Sequence, residues 1–186
     1  MAGRTDQEDL QWIQQSRDGD KTAFANLVRK YEPVVASTVT GMLGYGEDAE
    51  DVGQMVFIRF YNALKDFRGD AALATYLTRI AINLSLNEIK KRQRRNLFLI
   101  HRRDGEPEPD LPDTQDESQA YDAKEAVNKA LQQLEPKFRS VVVLRMLQGY
   151  TTKETAEILK LPLGTILSRL SRAQDKLRDL LKHLIE

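Results

Sequence analysis

Apolar positions recur along most of the chain every three to four residues, the spacing of one face of a helix, and predict an all-α protein. Leu10 and Ile13 open an amphipathic segment that ends near Gly19. Phe24, Leu27, Val28 and Tyr31 continue the period until Pro33, which reads as an interruption, and Val35, Val39, Met42 and Leu43 resume it. Gly44-Tyr45-Gly46 is a turn. After it, Glu47, Asp48, Glu50 and Asp51 crowd the start of a helix that runs to about Lys65, where the positive end of its dipole favours carboxylates. Val52, Val56 and Phe60 form one apolar line on this helix, while Met55, Phe57, Ile58 and Tyr61 spread apolar surface around most of its circumference. Such breadth implies deep burial or a partner surface.

The pattern breaks at residues 66–72 and a further helix starts near Leu73, with Leu73, Leu77, Ile80 and Leu84 on its packed stripe and Tyr76, Arg79 and Asn83 away from it. It runs into Lys90-Lys91-Arg92-Gln93-Arg94-Arg95. Taken alone, this basic run is as readily a helix end complementing its own dipole as a ligand site. An aromatic ring beside a glycine-containing loop, followed on one helix by Arg, Asn and a cationic tail, suits a nucleic-acid single strand. The ring stacks a base, Asn reads an edge and the cations track phosphates.

Nearer the C-terminus, Thr151 and Glu154 form a Thr-x-x-Glu capping box that starts a short helix at Thr152. Pro162 and Gly164 turn the chain, and a longer helix is expected from Thr165. Ile166, Leu170, Ala173, Leu177 and Leu184 fall on one stripe of it, and Thr165, Ser168, Arg169, Arg172 and Lys176 on the other side. This is a helix-turn-helix with the face that major-groove docking requires. The alternative is an ordinary amphipathic helix pair with a solvated basic face.

Charge sharpens the division. The formal net charge is zero, but residues 1–103 carry 16 Lys/Arg against 13 Asp/Glu, residues 104–123 none against 8, and residues 124–186 12 against 7. Two basic modules therefore flank an acidic connector rich in proline, which reads as an extended, mobile spacer or as a nucleic-acid mimic competing for a basic groove. The expected organisation is two small helical domains, residues 1–97 and 124–186, joined by a flexible acidic linker over residues 98–123. The absence of cysteine excludes disulfides and thiolate chemistry. No apolar run is long enough to span a bilayer, the first eight residues lack the apolar core of a secretory signal, and a cytoplasmic location is expected. There is no phosphate-cradling Gly-x-x-x-x-Gly-Lys loop, and His101 and His183 are isolated in sequence. No cofactor, no metal and no catalysis are expected.

The order Asp48-Ala49-Glu50-Asp51-Val52, Gln54, Phe57, then Phe67-Arg68-Gly69-Asp70, Leu77, Arg79-Ile80-Ala81, Asn83, then Gly149-Tyr150-Thr151, Glu154, Ala156, Gly164-Thr165, Ser168-Arg169 and Arg172-Ala173 resembles the extracytoplasmic-function (ECF, group 4) bacterial sigma factors over nearly the whole chain. The resemblance implies a region 2 helical bundle and a region 4 helix-turn-helix, with RNA polymerase core, promoter DNA and an anti-sigma factor as partners. That last partner would in some cases hold the protein at the membrane without any insertion of its own. Asp48, Asp51, Gln54 and Phe57 match positions that bind core. Phe67, Arg68, Gly69 and Asp70 match the loop that captures a flipped base of the −10 element, and Tyr76, Arg79 and Asn83 match the path of the opened strand. Thr165, Leu167, Ser168, Arg169, Arg172 and Lys176 match the helix that grips the −35 duplex, with Ser168 and Arg172 as base readers and Arg169 and Lys176 on phosphates.

Several positions depart from the family pattern, among them Leu134-Glu135-Pro136, which replaces a Leu-Pro step. Tyr76 stands where many members have Trp, Met55 where Glu is usual, and Leu167 where a basic residue is usual. The Leu167 side chain suits a thymine methyl instead. A helix-turn-helix repressor acting without polymerase has no need of the single-strand path. A partner-binding mimic of a sigma factor has no need of the cationic face at Arg169, Arg172 and Lys176.

Overall fold

The computed structural model describes residues 5–102 and 119–182, and within them every regular element is helical. Residues 103–118, most of the expected connector, and Leu184 lie outside the described residues. Helix α1 spans Gln7–Arg17, α2 Lys21–Leu43, α3 Glu47–Ala63 and α4 Leu73–Arg102. In the C-terminal part α5 spans Gln119–Gln133, α6 Pro136–Val142, α7 Thr152–Leu159 and α8 Leu163–Leu181. A π-helical turn, Val143–Leu147, extends α6.

Pro33 does not interrupt the second helix. A proline in mid-helix removes one amide donor and costs about 3 kcal/mol, but here it lies on the solvent side of a stripe that continues past it through Tyr31, Val35, Val39 and Met42. Burial of those side chains, at about 1.5–3 kcal/mol each, outweighs the defect. Helix α1 is pinned across α2 by charge. Lys30 Nζ reaches Asp9 at 2.8 Å, Asp6 at 3.0 Å and Glu8 at 3.3 Å, while the Tyr31 hydroxyl donates to buried Asp9. Burial and the neighbouring Asp9 push the Tyr31 hydroxyl's pKa upward, so it stays a donor.

Helices α1–α4 pack around Ile13, Leu27, Val39, Val56, Phe60, Leu73, Leu77 and Ile82. A smaller centre of Leu131, Leu134, Phe138, Val142 and Ala173 joins α5, α6 and α8. The two parts are not merely tethered. Val143, Leu144, Tyr150 and Ile158 from the C-terminal part are buried within the N-terminal core, where the π-helical turn lies on α2 and α7 lies on α4. Helix α4 reaches Arg102 and α5 begins at Gln119, so helical backbone extends into both ends of the expected connector.

Candidate nucleic-acid interface

The helix-turn-helix is built as its capping chemistry dictates. The Thr151 side chain accepts from the Glu154 amide at 3.2 Å, and the Glu154 carboxylate accepts from the Thr151 amide and hydroxyl, each at 2.7 Å. Those bonds, the hydroxyl first and the amide next, hold the Glu154 carboxyl down to about 2. Helix α7 ends at Lys160, whose φ of 54° is the left-handed conformation that closes a helix. Helix α8 then begins at Leu163, two residues before the position expected from the sequence, because Pro162 supplies its N-cap and Gly164 sits inside its first turn.

Ile166 and Ala173 are fully buried, which fixes the outward face of α8. Arg172 is exposed and Arg169 half-buried, neither with an acidic partner among the described residues. Leu167 is 53% exposed, so no core demand explains an apolar residue there. Thr165 is half-buried, and its carbonyl accepts the Ser168 hydroxyl at 3.1 Å. Ser168 therefore offers an outside group chiefly an acceptor. Lys176 is committed elsewhere: its Nζ lies 3.2 Å from Glu135 and 5.0 Å from the Phe138 ring centre, and Glu135 also holds Lys137 at 2.7 Å. Both lysines, Lys137 the more, draw the Glu135 carboxyl below its ordinary range.

On the N-terminal part, the loop between α3 and α4 is braced from α1. Arg17 donates to the carbonyls of Leu64, at 2.8 Å, and Phe67, and the Thr5 hydroxyl donates to the Ala71 carbonyl at 2.7 Å. Phe67 points inward, its ring edge-on to Phe60 at 5.7 Å and to Tyr76 at 4.9 Å. It supports the loop, leaving Arg68 and Asp70, paired at 3.0 Å, as the exposed side chains. Gly69 has φ 73°, a left-handed conformation that favours glycine, and a Cβ there would press on the exposed Leu10 side chain at 3.0 Å. Tyr76 is half-buried against Phe60 and Phe67, whereas Asn83 stands exposed on α4. Arg79 lies between them. It donates to the Glu157 carbonyl of α7 at 3.4 Å, and its Nε is buried without a partner.

Helix α3 forms a ridge between two grooves. Asp51, Gln54, Met55 and Ile58 face α4 across one; Gln54 and Phe57 border the other, of about 490 Å³, with Val28, Val35 and Tyr45. Met55, Ile58 and Tyr61 are exposed, so the apolar breadth of this helix is not deep burial. Asp48 is not free, since Arg92 holds it at 2.7 Å. Sequence reasoning assigned Tyr45 to a turn and nothing more. It is 73% exposed beside the second groove, and an aromatic residue between two glycines was the available signal.

These features define a two-part helical DNA-binding protein whose regulatory chemistry is recognition, and no helix among the described residues is long and apolar enough to cross a membrane. Comparison with known proteins gives the lineage. Residues 27–95 match Sigma-70 region 2, and residues 130–179 match Sigma-70, region 4. The RNA polymerase sigma-H factor of Pseudomonas aeruginosa is 31% identical over 97% of this chain and 97% of its own. The ECF RNA polymerase sigma-E factor of Escherichia coli K12 is 32% identical over 93% of this chain and 94% of its own. Among solved structures, CnrH in complex with the cytosolic domain of CnrY superposes with a TM-score of 0.65 at 26% identity, covering 95% of this chain and 99% of that one. The sigma factor RpoE in complex with the anti-sigma factor NepR, from Bartonella quintana, shares the fold at 23% identity, with a TM-score of 0.67 over 86% of this chain and 96% of that one.

The chain belongs to the ECF sigma factors of the sigma-70 family. It directs RNA polymerase to promoters, and catalysis belongs to the polymerase, not to this subunit.

Proposed function

We propose that this sigma factor reads a promoter in two physical states, the −35 element as duplex through α8 and the −10 element as melted single strand through the α3–α4 loop and α4. The observation that carries the reading is the pair of unlike faces on separate modules. One presents Arg172, Arg169 and Leu167 on the outward side of a helix-turn-helix. The other presents Arg68, Asp70, Tyr76 and Asn83 along a loop and helix of the N-terminal bundle. A duplex reader needs the first alone. Flipping a base costs a few kcal/mol of unstacking, which a braced loop and stacking surface offset, so opening needs no nucleotide hydrolysis by this subunit.

The ridge of α3, with Asp51, Gln54, Met55, Phe57 and Ile58, is the surface we assign to polymerase core. Residues 1–97 and 124–186 act as the two recognition domains, and residues 98–123 as their connector. Relatives solved with the cytosolic domain of CnrY and with the anti-sigma factor NepR support an anti-sigma partner for this chain as well, with cytoplasmic action and membrane retention only through that partner. A reconstituted run-off assay tests the reading. Core enzyme plus this protein gives promoter-specific transcripts, whereas no transcript from any genomic template, together with no binding to core, overturns it.

A further inference from the structure

Helix α1 carries two adjacent rows of side chains, each at the i, i+4, i+7 spacing that keeps residues on one face. Asp9, Ile13 and Ser16 form the buried row, and its tie to α2 is fixed: Ile13 enters the core, and Lys30 and Tyr31 of α2 hold Asp9. Leu10, Gln14 and Arg17 form the second row, whose ends meet the loop between α3 and α4. The half-buried Arg17 has all its guanidinium nitrogens engaged. Nε donates to the Leu64 carbonyl at 2.8 Å, Nη2 to the Phe67 carbonyl, and Nη1 to Gln14 Oε1 at 3.5 Å. Leu10 lies against Gly69, and buried Thr5, just ahead of the helix, donates its hydroxyl to the Ala71 carbonyl at 2.7 Å. The loop is thus attached to α1 near its beginning, its middle and its end.

Beyond the inward Phe67 ring, little else sets the loop's course. From Arg68 to Ala71 its backbone makes no hydrogen bond to other backbone among the described residues. The Arg68–Asp70 pair is exposed, and exposed ion pairs contribute little. A segment of this kind, with a glycine inside it, samples many conformations unless side chains from elsewhere restrict it. The Leu64 and Phe67 carbonyls follow the last turn of α3, the negative end of its dipole, where a cation is favoured. The planar fork of arginine reaches both acceptors at once, as a lysine's point charge would not.

We infer that α1 is part of the −10 strand site, with Arg17 as a positioning residue that holds the α3–α4 loop in the conformation that captures a base, assisted by Thr5. The inference rests on the single-strand reading proposed above and extends it to a helix outside the family match, which begins at residue 27. The physical route is pre-organisation. A strand binds only those molecules whose loop is correctly set, so apparent affinity scales with that fraction, and each bond from α1 raises it. The ridge of α3 from Asp51 to Ile58 and the outward face of α8 make none of these contacts, so the effect is confined to the captured base.

The test uses the full chain and a fluorescent single-stranded −10 oligonucleotide from a promoter on which core plus this protein gives a run-off transcript, with copies that each lack one base. Wild type is expected to lose affinity roughly tenfold when the captured base is missing. Arg17→Ala should bind the intact strand roughly tenfold more weakly and be nearly indifferent to the missing base, with affinities for core and for −35 duplex unchanged. Thr5→Val, which removes the buried hydroxyl at nearly constant shape, is the milder variant and should lose about threefold on the intact strand alone. Circular dichroism reports the helical fold, and where Arg17→Ala loses it, Thr5→Val decides by the same comparison of strands. Equal losses on intact and base-lacking strands, or a fall in core affinity parallel to the fall in strand affinity, would mean that these residues only support the fold, and overturn the assignment. So would strand binding unchanged in both variants. If wild type itself gives no promoter transcript and binds no strand, the single-strand reading fails and the role of α1 falls with it.

Discussion

At the level of single residues, α8, the helix proposed to read the −35 element, separates groups available to a ligand from groups already engaged. Arg172 is exposed without an acidic neighbour among the described residues, whereas Lys176 is held by Glu135 and lies over Phe138. Arg172→Ala is therefore expected to weaken −35 duplex binding by about 1–3 kcal/mol, roughly five- to 150-fold, while Lys176→Ala changes it far less. Fluorescence anisotropy with a −35 duplex measures both, and equal losses would refute the ranking. The residue types were legible in sequence, since spacing puts Thr165, Ser168, Arg169, Arg172 and Lys176 on one side of a helix. Their availability was not. Whether a lysine finds a carboxylate, or a hydroxyl turns to its own backbone as Ser168 does, depends on neighbours 41 and 3 residues away in the chain. For Phe67, likewise, composition marks an aromatic beside a loop, and only packing against Phe60 and Tyr76 turns it inward.

Among the elements, α7 shows how a short helix is made to persist. Eight residues are too few to be stable alone, and the reciprocal Thr151–Glu154 cap closes the N-terminal end. The Glu154 carboxyl, ordinarily near 4.5, is held at about 2 in the folded protein. A lowered folded value means that this stabilisation is complete above about pH 4.5 and is lost as pH falls toward 2. Wild type should exceed Glu154→Gln in stability by about 1 kcal/mol at neutral pH, with the gap closing over that acidic range. Denaturant midpoints across pH check this, and a gap independent of pH would contradict it. The cap was fully readable from sequence because its partners are three residues apart. The start of α8 was placed two residues late, since Pro162 serves as its N-cap and lets Gly164 enter the first turn. Pro33 misled in the opposite direction, its local cost being outweighed by the stripe it interrupts.

For the whole molecule, the proposed reading of two separated promoter elements predicts that the modules move apart, so dyes at Lys65→Cys and Asp175→Cys, both exposed in a chain without cysteine, are expected to separate when wild-type protein binds core and promoter DNA. No change in transfer efficiency on forming that complex would show that the modules stay packed. Sequence by itself determined the helices, the capped turn, the basic faces flanking an acidic stretch and, through motif order, the sigma factor lineage, because each of these is written in contacts between residues close along the chain. The tertiary structure alone decided which of the expected readers are free and which are occupied, and showed that Gly41 is a seat for Val143 and Leu147, that Arg139 caps the end of α2, and that α7 holds Arg79. The reason is physical: these contacts join residues that are 78 to more than 100 positions apart, and close packing has no signature in local periodicity.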